Sequence, residues 1–216
     1  NLLADQSIQH FIFVNKIDKA TGLVRHLQAA LQSVSPKPLV LRQVPIRDGE
    51  HVTGYVDLAS ERAYVYKDDA PSEIVKLPPS IEDRKAEARY AMLEKLADFD
   101  DKLMEALLEE REPSRDIVFA DLTRELQQGL IVPVLLGAAD TGHGVRRLLK
   151  ALRHEVPVHA AAAERVGVDA GQVEPVAQVL KTYITGHGGK LSLARLWSGS
   201  IKEGAVLNGE RAAGLF

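Results

Sequence analysis

The sequence predicts an α/β fold, and three observations carry that reading. Two apolar runs, at residues 11 to 14 and 130 to 136, lack polar alternation, as strands do when both faces of a parallel sheet are covered. Each run leads through a short loop into a helical pattern. After Pro175 the texture changes to short apolar runs divided by glycine-rich turns, the pattern with which an antiparallel β-barrel begins.

Phe11-Ile12-Phe13-Val14 is the first strand, and Asn15-Lys16-Ile17-Asp18 follows it directly. Residues 21 to 34 place Leu23, Leu27, Ala30, Leu31 and Val34 at helical spacing, and Pro36 and Pro38 end that helix. Short β-like runs at residues 39 to 44, 52 to 58 and 63 to 66 predict a small antiparallel sheet, with Arg47-Asp48-Gly49-Glu50 as a turn. Pro78-Pro79-Ser80 precedes a helical stretch. There Ile81, Ala88, Met92, Leu96, Phe99, Leu103 and Leu107 keep one apolar stripe past an acidic kink at residues 98 to 101, which assigns Met92 and Met104 to the core. Ser114 is the expected N-cap of a further helix, and Gly129 supplies its C′ position.

The second buried strand runs into Gly137-Ala138-Ala139-Asp140. A helix over residues 143 to 154 follows, with Val145, Leu148, Leu149 and Leu152 on one face and Arg146, Arg147, Lys150 and Arg153 largely on the others. Pro157 closes it, and the alanine-rich stretch at residues 159 to 173 reads as a linker with room for a short helical turn. Residues 176 to 184, 191 to 197 and 205 to 207 are the β runs of the last part.

At 216 residues, with 45% hydrophobic and 26% charged residues, the composition is that of a globular chain and excludes wholesale disorder. The absence of cysteine excludes a disulfide framework and any thiolate site, which fits a reducing compartment, and a cytoplasmic location is expected. No apolar stretch has membrane-spanning length, so no membrane partner is expected. The net charge of −3 conceals an excess of −6 over residues 78 to 128 and +3 over residues 175 to 216, so the middle is a poor nucleic-acid surface. The chain opens on Leu2-Leu3-Ala4, like the tail of a helix, and stops in the apolar Gly214-Leu215-Phe216, which suggests a piece of a longer protein.

The chemistry concentrates in the loop after the first strand. N-K-x-D at residues 15 to 18 suits a guanine ring: Asp18 can accept from both the N1 hydrogen and the 2-amino group, a pair adenine does not offer. The aliphatic stem of Lys16 can lie along the base, and the Asn15 amide can donate toward it while bracing a neighbouring loop. Asn and Asp also favour plain polar turns, so the motif by itself leaves that alternative open. Gly137-Ala138-Ala139 ends the other strand in small residues that let backbone amides approach a flat ligand, although a generic strand-to-helix turn has the same composition. Two apparent phosphate loops fail. His143 stands where the first needs Lys, and Leu191 where the second, at Gly189-Lys190, needs Ser or Thr. His143, His154, His159 and His187 have no metal-ligand spacing and are expected at the surface; no catalytic or metal constellation is assigned.

In this order the pieces resemble translational GTPases of the elongation factor G family, along essentially the whole chain. Residues 11 to 18 look like the family's fourth guanine-nucleotide motif and residues 133 to 139 like its fifth. Thr53-Gly54-Tyr55-Val56-Asp57-Leu58 is similar to the G-x-x-D-L strand of the insertion in its nucleotide domain. His187-Gly188-Gly189-Lys190-Leu191-Ser192, with the Ala194-Arg195-Leu196-Trp197-Ser198-Gly199 run, resembles the opening hairpin of the second domain. The resemblance implies the C-terminal part of a P-loop GTPase domain carrying an α+β insertion subdomain, then the start of an antiparallel β-barrel domain. The expected boundaries are residues 1 to 36 and 129 to 157 for the partial GTPase domain, 37 to 128 for the insertion, 158 to 174 for a linker and 175 to 216 for the barrel start.

It further implies that Asn15, Lys16 and Asp18 contact guanine, that Ala138 and Ala139 line the same base, and that the Ala139 amide faces the guanine oxygen. The cofactor would be GTP or GDP, and the partners the ribosome, its RNA and its proteins. In the parent, GTP hydrolysis would drive movement of tRNA and mRNA, or serve a ribosome-protection or release-type factor; a ribosome-docking module without nucleotide chemistry is the other reading. The family usually has Ser where this chain has Ala138, and residues 39 to 66 depart in detail from the housekeeping factor, which favours a divergent paralogue. The phosphate loop, the switch segments and the magnesium-ligating Thr would lie before Asn1, so this chain alone is not expected to hydrolyse GTP.

Overall fold

A computed structural model describes residues 2–22, 24–68, 70–157, 159–169, 171–186 and 189–215. Leu23 of the first predicted helix and His187-Gly188 of the hairpin motif lie outside the described residues. The chain divides into two compact units, Asn1–Val156 and Pro157–Phe216.

The first unit starts with α1 (Leu2–Asp5), β1 (Ile12–Val14) and α2 (Val24–Gln32). It continues with β2 (Leu39–Leu41), β3 (Gln43–Asp48), β4 (His51–Asp57), β5 (Arg62–Val65) and β6 (Glu73–Val75). The helices α3 (Glu82–Ala97), α4 (Asp101–Leu108) and α5 (Arg115–Gln127) lead to β7 (Val132–Leu136) and α6 (Val145–Glu155). Strands β1, β7 and β2 form a parallel sheet in the order β1-β7-β2, so the central strand arrives last. All five residues of β7 are buried, as its unbroken apolar run predicts. The other four strands form an antiparallel meander in the order β3-β4-β5-β6.

Residues 39 to 44, read from sequence as one strand, are two. The break is Arg42, whose N–H donates to the Val134 carbonyl at 3.0 Å in one sheet while its own carbonyl accepts from Leu58 N–H at 2.9 Å in the other. A fully buried arginine at the switch between sheets leaves no trace in hydrophobic periodicity. Gly54 is fixed by contact: a Cβ there would lie 2.0 Å from the Tyr64 carbonyl oxygen on β5. Strand β6 pairs with β5 through residues 73 to 75 and carries no sequence signal of its own.

The single helical stripe past residue 98 becomes two helices, because the Asp100 side chain accepts from Leu103 N–H at 2.9 Å and caps α4. Met92 is buried as expected, whereas Met104 is 37% exposed because α4 turns that position outward. Ser114 caps α5 by accepting from Ile117 N–H, and Gly129 follows its C-cap at φ +68°. Two amphipathic faces are rotated from their sequence positions. In α2, Leu27 is exposed and Val24 is the buried residue, and Val34 falls in the turn just past the helix, where it is exposed. In α6, Leu149 is 58% exposed, while Ala151 and the charged Glu155 are buried.

The second unit holds α7 (His159–Arg165), within the stretch read as a linker, and the antiparallel pairs β8 (Val176–Thr185) with β9 (Gly189–Ser198) and β10 (Val206–Leu207) with β11 (Glu210–Arg211). The antiparallel texture after Pro175 is therefore present as two hairpins, and Trp197, buried at the end of β9, donates from Nε1 to Gln178 Oε1 at 3.1 Å.

Candidate guanine-nucleotide site

β1 and β7 are parallel neighbours, with Val14 opposite Leu136, so the loops after them leave the sheet side by side. Gly137 N–H donates to the Val14 carbonyl and Ile17 N–H to the Gly137 carbonyl, each at 3.0 Å. Asn15 Oδ1 accepts from Lys16 N–H at 2.8 Å and, across the chain, from Ala139 N–H at 2.9 Å. Residues 15 to 17 and 137 to 139 thus form one hydrogen-bonded double loop at the carboxyl end of a parallel sheet, the place where open α/β sheets bind ligands.

Backbone shape follows the same plan. Lys16 is left-handed, at φ 60° and ψ 37°, which costs a non-glycine residue about 1 kcal/mol and turns the chain into a 3-10 turn at Ile17–Lys19. The turn is held down by Ile17, 2% exposed. Asn15 and Lys16 are exposed and Asp18 is half-buried, so all three remain accessible to a ligand. Gly137 has no alternative, since a Cβ would lie 2.5 Å from Phe13 Cζ and 2.4 Å from the His143 carbonyl oxygen. Gly144 is at φ +76° with a prospective Cβ 2.3 Å from the Leu136 oxygen.

Ala138 is buried, and its N–H donates to the His143 carbonyl at 2.8 Å, which closes the second loop on itself. With no hydroxyl, it gives Asp18 no bond. The Ala139 amide, which the sequence resemblance aims at a guanine oxygen, is donated to Asn15 Oδ1 instead. Asn15 is thereby the brace between the loops, and its Nδ2 hydrogens are the donors left for a ligand.

Sequence reasoning missed the buried charges that fix α6, the helix that follows the second loop. Arg147 Nε donates to Asp57 Oδ2 at 2.7 Å, and Arg42 reaches Glu155 Oε2 at 2.6 Å, with all four side chains at most 10% exposed. Burial alone would raise the Asp57 carboxyl, but Arg147 and Arg42 hold it below the ordinary carboxylate range. α6 is therefore tied to β4 and to the switch residue between the sheets. The G-x-x-D-L pattern was the available signal: Gly54 admits β5, Asp57 anchors α6, and Leu58 is fully buried. His143, expected as a surface residue, stacks on Tyr66 with ring centroids 4.5 Å apart and planes 1° from parallel. His154 is exposed as expected. Among the described residues no group of three His, Cys, Asp or Glu side chains is placed to hold a metal ion.

No protein-family profile matches the chain. It is 45% identical over 99% of its length to an elongation factor G-like protein of Synechocystis, and 28% identical over 95% to elongation factor G of Rhodopirellula baltica. Elongation factor G of Fervidobacterium nodosum is 30% identical over 93% of the chain. A crystal structure from Thermus thermophilus superposes on 94% of the chain with a TM-score of 0.76 at 25% identity, the chain covering 29% of that structure. The chain spans about a third of the length of the curated relatives it matches, 32% and 31% for the first two. Over 93–99% of its length the chain is a homologue of proteins named elongation factor G or elongation factor G-like.

Proposed function

We propose that the double loop is the base-reading half of a guanine-nucleotide site in a translation elongation factor. Asp18 accepts from the N1 hydrogen and 2-amino group of guanine, the Lys16 stem covers one edge of the base plane, and Asn15 Nδ2 donates to the ring. Ala138 and Ala139 give the base a close backbone wall. The observation that carries this reading is the set of three hydrogen bonds joining residues 14 to 17 with residues 137 to 139, which presents Asn15, Lys16 and Asp18 from one braced loop. The names of the homologues support the wider reading.

In the full-length protein GTP or GDP is the cofactor, and magnesium and the phosphates are held by segments outside this sequence. Hydrolysis there is coupled to tRNA and mRNA movement on the ribosome, in the cytoplasm, with ribosomal RNA and proteins as partners. The β1-β7-β2 sheet is then the C-terminal part of a P-loop GTPase domain, residues 37 to 128 its insertion, and the hairpins after Pro175 the opening of a β-barrel. No helix of the described residues is long and apolar enough to cross a membrane.

A second reading, a ribosome-docking module without nucleotide chemistry, is favoured by one observation: Ala139 N–H is already spent on Asn15. Amide NMR titration of the chain with GDP, ADP and xanthosine diphosphate separates the two. Base recognition requires GDP, and not ADP, to shift the Asn15, Lys16, Asp18 and Ala139 amides at millimolar concentration. Asp18→Asn is then expected to move the preference to xanthosine diphosphate by tenfold or more, since an amide donates to the xanthine oxygen. Equal response to GDP and ADP supports the docking module.

A further inference from the structure

A cavity of about 400 Å³ lies away from the double loop, between α2 and α3 over the ends of β2 and β3. Its apolar lining includes Val24, Leu41, Val44 and Met92, and it falls within the range of roughly 300–1,000 Å³ typical of small-molecule sites. The α3 residues on its wall run from Arg84 to Lys95 and share one helical face. From Arg84 to Lys95 the eleven helical steps, at about 1.5 Å each, make the slot about 16 Å long, so its volume is drawn out along the helix. Ala88 and Ala91 keep it open.

The charges are arranged unevenly. Arg25 and Glu87 face each other at 3.7 Å on the rim, both well exposed. Lys95 is at the other end, where its Nζ donates to the Leu39 carbonyl at 2.7 Å, an acceptor it shares with Gln28 Nε2 at 2.8 Å. No ion pair among the described residues involves Lys95, and burial pushes its ammonium below the ordinary lysine range. An ammonium has three donors, and this one places a single bond on a carbonyl. A half-buried cation with no counter-charge, at the end of an elongated apolar slot, complements an anion on an aliphatic tail.

We propose that this slot binds an unbranched aliphatic carboxylate, its tail along α3 over Met92 and Val44 and its head on the Lys95 ammonium. The carboxylate supplies the missing counter-charge, and the tail fills the apolar-lined slot and makes dispersion contacts with its walls.

The test is calorimetric titration of the 216-residue chain with decanoate and decanol below their aggregation limits, with the Met92 methyl followed by NMR. One-to-one binding of decanoate is expected, about tenfold tighter than decanol, with the Met92 methyl shifted. Lys95→Met keeps the aliphatic stem and is expected to erase that tenfold preference while decanol still binds. Ala91→Leu fills the slot from an exposed helix position and is expected to abolish binding of both, with circular dichroism unchanged. Failure of decanoate to saturate the chain overturns the proposal, as does binding that survives Ala91→Leu or a preference for the carboxylate that survives Lys95→Met.

Discussion

The Ala139 amide donates to Asn15 Oδ1 at 2.9 Å, joining two residues that stand 124 positions apart in the chain. The same oxygen accepts from Lys16 N–H and so helps to hold a lysine in left-handed backbone. Asn15→Ala removes both bonds at an exposed position, where water replaces part of what is lost. A cost of about 1 kcal/mol is expected in urea unfolding, together with faster hydrogen exchange at Ala139. Asn15→Asp keeps the acceptor and is expected to restore the exchange protection; protection unchanged in Asn15→Ala would show that the bond does not form.

Gly137 and Gly142 provide a contrast within one loop. A Cβ at Gly137 meets the Phe13 ring and the His143 carbonyl oxygen, and the backbone oxygen, at 2.4 Å, cannot withdraw without moving the loop. Gly137→Ala is expected to cost about 2–4 kcal/mol. Gly142, at φ +73° with nothing within 4 Å of a Cβ, carries backbone strain alone, so Gly142→Ala should cost about 1 kcal/mol. Parallel urea titrations of the two variants measure the difference.

Asp57→Asn leaves Arg147 buried with its nearest carboxylate removed and is expected to destabilise the first unit by about 3–5 kcal/mol. Replacing the pair together, Asp57→Leu with Arg147→Met, should cost less than the single change, because no charge is stranded. A thermal-melting double-mutant cycle reads the coupling. Asp57 also sets an acid limit: its carboxyl is depressed in the folded protein, so its contribution is complete above the unfolded value of 3.8 and fades as pH falls below it.

Glu125 acts in the opposite sense. Its side chain is fully buried on α5 beside Asp121, and one oxygen of each has no hydrogen-bond partner among the described residues. Burial first, and then the Asp121 charge, push the Glu125 carboxyl up to about 8 from an ordinary 4.5, with Asp100 raising it further and Arg124 opposing. Between those values the folded chain binds more protons than the unfolded one, so stability falls as pH rises from 4.5 to 8 and then levels. The total is a few kcal/mol. Urea midpoints from pH 5 to 9 should show this slope, and Glu125→Gln should flatten it while raising stability at pH 8.5.

Legibility in the sequence divides by the range of the interactions concerned. The buried runs of β1 and β7, the Ser114 cap and the N-K-x-D turn are local patterns, and the fold keeps them. Arg42 shows why the rest was not legible: it breaks a strand because its carbonyl and N–H serve different sheets, both distant in sequence. Glu155 is buried, against its residue type, because Arg42 waits for it across 113 positions. Leu149 is exposed because that ion pair, and not the leucine stripe, sets the rotation of α6. At the double loop, the motif named Asn15, Lys16 and Asp18, but the use of Asn15 as a cross-loop brace depends on the approach of a segment that only the sheet brings near.

The sheet order β1-β7-β2 also has a consequence in time. During synthesis β1 emerges well before its sheet partner among the described strands, which ends at Leu136. At roughly 5–20 residues per second, β1 waits on the order of 6–25 s before that partner exists. Until then the edge of β1 that pairs with β7 is unmatched, while the meander between can already collapse on itself. The two halves of the double loop meet only after everything that separates them has been made, so a nascent chain stalled before residue 132 would hold an Asn15 with no Ala139 to brace.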